Sequence, residues 1–127
     1  MSIQLNHTIV QAKDAKQSAE FLAELLGLAA PVSFGPFMVV KTDNEISLDF
    51  RTTTNQIESR HFAFLVSESE FDKIFARIKQ RQLSYWADPG RTKPQQINHN
   101  DGGRGCYFLD PSGHFLEILT QPYGGAS

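Results

Sequence analysis

A strand, a helix and then further strands are spelled out once in residues 1 to about 55 and again from about 56 to 127, and this duplication limits the fold more than any single motif does. In the first half, Leu5-Asn6-His7-Thr8-Ile9-Val10 reads as a strand. Asp14, with Gln17 three residues later, makes a helix start; Ala15, Ala19, Leu22, Leu25 and Leu26 keep helical spacing, and Gly27 is placed to end the helix in the left-handed conformation. Two strands follow, Phe37 to Thr42 and Glu45 to Arg51, joined by the turn-prone pair Asp43-Asn44. The second of them alternates, Ile46, Leu48 and Phe50 against Ser47, Asp49 and Arg51.

After a polar connector, residues 52 to 59, the programme restarts. Arg60 to Val66 is a strand, Ser67 and Glu70 form a capping box, and Phe71, Ile74, Phe75 and Ile78 lie on one helical face. A short Leu83 to Ala87 segment precedes a Pro/Gly/Asn-rich loop, residues 88 to 104, and then the final pair, Cys106 to Leu109 and His114 to Gln121. Between them Asp110-Pro111-Ser112-Gly113 has the residue order of a type I turn. The second half reads βαβββ, and with the first taken as its repeat the chain is βαβββ-βαβββ, an α+β fold. Two modules this small, about 1–55 and 56–127, each make a poor core, so they pack as one domain over 1–127 or exchange between two chains, and the pattern leaves both open.

Composition narrows the partners. A net charge of −2 with twelve scattered Lys and Arg gives no basic field for nucleic acid. No apolar run is long enough to span a bilayer and the N-terminal residues lack a leader pattern, so the expectation is a cytoplasmic protein with no membrane partner. The single cysteine, Cys106, suits a reducing compartment and reads as a small buried hydrophobe.

Laying the halves over one another aligns four polar residues: His7 with His61, and Asp49 with Glu117. Glu117 is conspicuous because it interrupts Phe115-Leu116-Glu117-Ile118-Leu119. Parity allows all four to lie on the face of their strands that carries no helix. Two imidazoles and one or two carboxylates on such a face match the open facial arrangement of non-haem Fe(II) oxygenases, and the same donors suit Zn, Ni or Mn. Singly, each also fits a solvent-facing strand position; their matched placement in a repeat is what favours a divalent-metal site.

The stretches "LNHTIV", "RHFAFLV" and "GCYFLDPSGHFLEIL" resemble the vicinal oxygen chelate superfamily, which includes glyoxalase I, the bleomycin-resistance proteins, fosfomycin-resistance enzymes and extradiol dioxygenases. That resemblance covers essentially the whole chain. It implies a cupped mixed sheet built from the two βαβββ modules around a divalent metal, with His7, His61 and Glu117 as ligands. Glyoxalase I carries a glutamate at the position of Asp49, so Asp49 is a fourth ligand or an acceptor just outside the ligand set. More narrowly, "AEFLAELLGL", "FGPF", "YWADPG" and "INHNDGGRGCYFLDPSGHFLEILTQPYGG" are similar to the subfamily typified by the oxygenase of chartreusin biosynthesis, which oxidatively cleaves a ring in an aromatic polyketide.

These implications make the expected function a dioxygenase-type C–C or ring cleavage of a small aromatic substrate, with Fe(II) as the expected ion. Glyoxalase-type or thiol-adduct chemistry on a redox-inert metal is the alternative, and drug binding is the third. A homodimer follows if modules exchange, each site then drawing His7 and Asp49 from one chain and His61 and Glu117 from the other. His99, in the Gly-rich loop, is the candidate acid or base, and Tyr107 either hydrogen-bonds a metal-bound ligand or packs. His114 falls on the wrong face to join Glu117 and serves the turn, while Phe34-Gly35-Pro36-Phe37 and Trp86 line an aromatic pocket or the core.

Overall fold

The computed structural model describes residues 2–123; Met1 and residues 124–127, among them the glycines that end the quoted terminal motif, lie outside the described residues. The chain divides into two compact units. One holds the residues up to Glu58 together with Asp110–Gly113, and the other Ser59–Leu109 with the residues from His114 onward.

In the first unit β1 (His7–Ala12), α1 (Ala15–Leu26), β2 (Val32–Phe34), β3 (Phe37–Lys41) and β4 (Ser47–Thr52) form a four-stranded sheet in the order β1-β4-β3-β2 with one helix. β1 runs parallel to β4 and the other pairs are antiparallel. Asp14 caps α1 by accepting from Gln17 N–H at 3.1 Å, and Gly27 at φ 74° closes it, as the residue types require. The buried stripe of α1, Ala15, Ala19, Leu22, Ala23 and Leu25, is rich in alanine, which lets the helix sit close to the sheet residues Val10, Val40, Leu48 and Phe50. Burying a side chain such as Leu22 or Phe50 contributes about 1.5–3 kcal/mol.

β2 carries no signal in its residues. All three are exposed, so no alternation marks them, and the strand exists through its pairing with β3 across Gly35, whose φ of 55° suits glycine. Ile46, expected within β4, instead belongs to the turn before it, where Thr42 N–H donates to Ile46 O and Glu45 takes the left-handed conformation.

The second unit repeats the plan with β5 (His61–Leu65), α2 (Glu68–Gln80), β6 (Tyr85–Trp86), β7 (Gly105–Leu109) and β8 (Phe115–Leu119), in the order β5-β8-β7-β6. The Ser67–Glu70 capping box is formed in both directions. Phe71, Ile74 and Ile78 are buried, while Phe75 stays half-buried with its ring edge-on to Tyr85. Arg104 covers Phe71, its guanidinium 4.5 Å from the ring centroid, and reaches Glu68 Oε1 and Asp72 Oδ1, both at 2.8 Å.

Both sheets are mixed, and each unit is one βαβββ module. Gly113 N–H donates to Asp110 O, and Ser112 N–H to Asp110 Oδ1, which builds the expected turn and sets the β7/β8 register. Ser112 belongs to the first unit, where its Oγ accepts from Lys13 N–H at 3.0 Å and lies 3.1 Å from Ser18 Oγ. Among the described residues no helix is long and apolar enough to cross a membrane.

Candidate metal centre

Register decides what faces what in the second unit. β8 is central, with Ala63 of β5 and Tyr107 of β7 paired to Glu117 on either side, and Phe115 paired to His61. Strand alternation then puts His61, Tyr107, Phe115 and Glu117 on one face and His114, Leu116 and Ile118 on the other. His114 accordingly turns inward, accepting from Arg60 N–H at Nδ1 and meeting Phe62 edge-on.

Glu117 is 1 % exposed yet fully partnered. Tyr123 O–H donates to its Oε1 at 2.6 Å and Oε2 at 2.7 Å, and His61 Nε2 lies 3.1 Å from Oε1. The other imidazole nitrogen, Nδ1, is 3.0 Å from the Phe115 carbonyl, an acceptor, so Nδ1 carries a proton. Nε2 and Oε1 would then be two acceptors face to face unless a positive partner joins them. That partner is either a proton lying between the two atoms or a bound cation. Nitrogen and oxygen donors about 3 Å apart also match neighbouring ligands on an ion with bonds of about 2.1 Å, so this pair fits a divalent metal.

Aromatic rings hold the pair. Tyr107 stacks on Phe115 at 5.3 Å and on His61 at 5.9 Å, and its hydroxyl lies 3.1 Å from that of Tyr123. Because the single proton of Tyr123 goes to the carboxylate, Tyr107 is the donor between the two phenols. Burial, reinforced for Tyr123 by the hydrogen bond to Glu117, raises both phenols above the ordinary tyrosine range and keeps them donors. Cys106, on the opposite face, is pushed up to about 12 by burial and then by the Glu117 charge, so it is an inert thiol.

The first unit holds an echo of this arrangement. His7 pairs with Ser47 and Asp49 with Ile9, the same offset as His61 with Phe115 and Glu117 with Ala63. His7 Nδ1 donates to Asn6 Oδ1 at 2.7 Å, which leaves Nε2 as the acceptor nitrogen of the ring, as for His61. The furnishing differs, because Val39 stands opposite Asp49 where Tyr107 stands opposite Glu117. The structure thus joins His61 to Glu117 and sets His7 and Asp49 on one face of the other unit. Among the described residues, no three His, Cys, Asp or Glu side chains gather as a ligand set.

His99 is exposed in the loop ahead of a single 3-10 turn, Asn100–Gly102, and makes no capping hydrogen bond there. The loop itself is pinned: Asp88 accepts from Thr92 and Lys93, and Asn98 exchanges backbone bonds with Gly105 while its side chain reaches Ala87 O. Gly103 is required at its end, since a Cβ there would stand 2.6 Å from Thr120 Oγ1. Of the aromatic candidates, Phe34 is exposed on its edge strand and Trp86 is half-buried. Two contributors were missed by the sequence reading. Tyr123 follows the last strand in an unpatterned tail, and Arg91 sits with its guanidinium 5.8 Å from the Trp86 ring and 5.7 Å from that of Phe115. An aromatic residue shortly after β8 ends, beside Pro122, was the available signal for Tyr123.

Known proteins share this plan. The sequence model of the Glyoxalase/Bleomycin resistance protein/Dioxygenase superfamily matches residues 4–118. The solved structure of Oxidase ChaP-H1 is similar at 60% identity and TM-score 0.95, covering 98% of this chain and 100% of its own, and that of Oxidase ChaP-H2 at 57% and 0.96, covering 99% and 100%. Glutathione transferase FosA of Serratia marcescens is 28% identical over 90% of this chain and 78% of its own length. Metallothiol transferase FosB of Lysinibacillus sphaericus (strain C3-41) is 25% identical over 94% and 84%. Kinship with two proteins named oxidases supports an enzyme of the oxygenase type within the fold. With residues 4–118 matched and both βαβββ modules in place, the chain belongs to the Glyoxalase/Bleomycin resistance protein/Dioxygenase superfamily.

Proposed function

We propose that this chain is a metal-dependent oxygenase that oxidatively cleaves a C–C bond or ring in a small, polyketide-like aromatic substrate. The observation that carries the reading is the pairing of His61 Nε2 with Glu117 Oε1 at 3.1 Å, with His61 Nδ1–H committed to a carbonyl. Similarity to two proteins named oxidases, at 57% and 60% identity, supports the oxidative class. His61 and Glu117 would hold the ion with His7, and Asp49, on the face of His7, is the fourth donor or an acceptor beside it. A divalent ion with open positions supplies Lewis acidity to vicinal substrate oxygens and, as Fe(II), which we assign over Zn, Ni or Mn, the electrons for reaction with dioxygen.

The chain's own groups bind and orient. Phe115 and Trp86, half-buried with Arg91 over both, offer ring faces to a flat substrate, and the Arg91 cation suits an ionised substrate oxygen. His99 is the proton-transfer group and Tyr107 braces the ligands. Each unit presents one half of a ligand set, and we assign a homodimer; if its modules exchange, His7 and Asp49 of one copy complete the site of another.

Elemental analysis of protein purified without chelators, followed by oxygen uptake on aromatic diols and quinols, tests the function. Stoichiometric iron and uptake abolished by His61→Ala are expected; uptake indifferent to Fe(II) or to His61→Ala sinks the reading. The relatives named glutathione transferase and metallothiol transferase favour a second one, addition of a thiol to an activated substrate. Activity retained anaerobically with a redox-inert ion would select it.

A further inference from the structure

We propose that Tyr123, backed by Tyr107, is a positioning residue that holds the Glu117 carboxylate ready for its ion; this rests on the reading of Glu117 as a ligand. The geometry of the contact is specific. A single hydroxyl stands 2.6 and 2.7 Å from the two carboxylate oxygens, so it opposes rotation of the carboxylate about its terminal bond and leaves Oε1 directed at His61 Nε2. The Tyr123 residue is 57% exposed, so burial of its ring is a weak reason for its position. What it inserts is the hydroxyl, into the one place where a nearly inaccessible carboxylate needs a donor.

Tyr107 gives the arrangement direction. Its hydroxyl donates to that of Tyr123, which donates to Glu117, and its ring lies against the His61 imidazole. One buried tyrosine therefore steadies both ligands of the second unit, one by stacking and the other through Tyr123. The first unit has Val39 at the equivalent register, opposite Asp49, and so has no phenol in that place. Such outer contacts set ligand orientation before the ion arrives, and their loss typically lowers metal affinity by about 10–100-fold.

The test is titration of chelator-stripped full-length protein with Co(II), a redox-stable stand-in for Fe(II), followed by calorimetry and by the Co(II) visible spectrum. Tyr123→Phe is expected to weaken binding about tenfold or more and to change the Co(II) bands, while the metal-free protein still unfolds cooperatively but at a lower temperature, because the Glu117 carboxylate has lost a donor. Tyr107→Phe should lose less, and the double variant should match Tyr123→Phe within about twofold, because Tyr107 acts through Tyr123. Glu117→Ala is the reference. If it binds Co(II) like the wild type, the ligand reading itself fails. If it abolishes binding while Tyr123→Phe stays within about twofold of wild type with unchanged bands, the positioning role alone is refuted. Should Tyr123→Phe not fold, Tyr107→Phe decides by the same bands, a wild-type spectrum and affinity overturning the proposal.

Discussion

Replacing Glu117 by glutamine separates what the carboxylate does for the ion from what it does for the fold. The substitution keeps shape and volume at a site that is 1 % exposed, so no cavity forms. The amide oxygen still accepts from Tyr123, and the amide N–H₂ now offers a donor to His61 Nε2, the contact that in the native pair needs a proton or a cation between two acceptors. The metal-free variant should therefore be as stable as the wild type, or more stable by up to about 1–2 kcal/mol, because a buried charge has been removed. With metal the order reverses. An ion present at a hundred times its Kd stabilises the folded wild type by about 2.7 kcal/mol, and for a chain of this size that is a rise in Tm of about 10 °C. The neutral amide supplies no anion, so the Glu117→Gln variant should gain less than about 2 °C. Thermal melts of chelator-stripped protein with and without Co(II) give all four values. Two results refute the reasoning: a metal-dependent rise in the variant as large as in the wild type, or a metal-free variant destabilised by about 3 kcal/mol or more, which would make the carboxylate a structural anchor.

If modules exchange, mixed chains should complement. Unfolding and refolding His7→Ala and Glu117→Gln chains together yields hybrid dimers with one intact site, so about a quarter of wild-type metal content should return, and none returns if each chain builds its own site. The Cys106 thiol ordinarily titrates near 9.0 and is raised to about 12 in the fold, so between those values the native state binds a proton that the unfolded chain has lost. Stability should fall as pH rises through that window, and Cys106→Ala should flatten the slope in urea titrations at about pH 9 to 11; an unchanged slope would show that the thiol does not contribute it.

The sequence was most readable where local chemistry and global position agree. Asp14 with Gln17, Ser67 with Glu70 and the Asp110–Gly113 turn each carry their own donors and acceptors, so each forms as its residue types dictate. β2 was unreadable because pairing with β3, rather than a buried face, makes it a strand. The four polar positions were legible through the repeat, since register and parity are fixed once two strands pair in parallel. Tyr123 and Arg91 were not, because each reaches the second unit's polar face from an irregular segment where no period predicts direction.

That asymmetry bears on how a duplicated frame comes to hold one kind of site. The backbone repeats closely enough to present a histidine and a carboxylate at the same offset in both units. The surroundings do not repeat: Phe115 and Tyr107 in one unit stand where Ser47 and Val39 stand in the other, and, of the two carboxylates, Glu117 is the one with the phenol of Tyr123 on both oxygens. A carboxylate kept at 1 % exposure must have its charge answered, by a donor network or by an ion. Asp49, half-buried and opposite Val39, carries a smaller desolvation demand. On the proposed reading of Glu117 as a ligand, the second unit is therefore where the ion's binding energy and its orientation would be set.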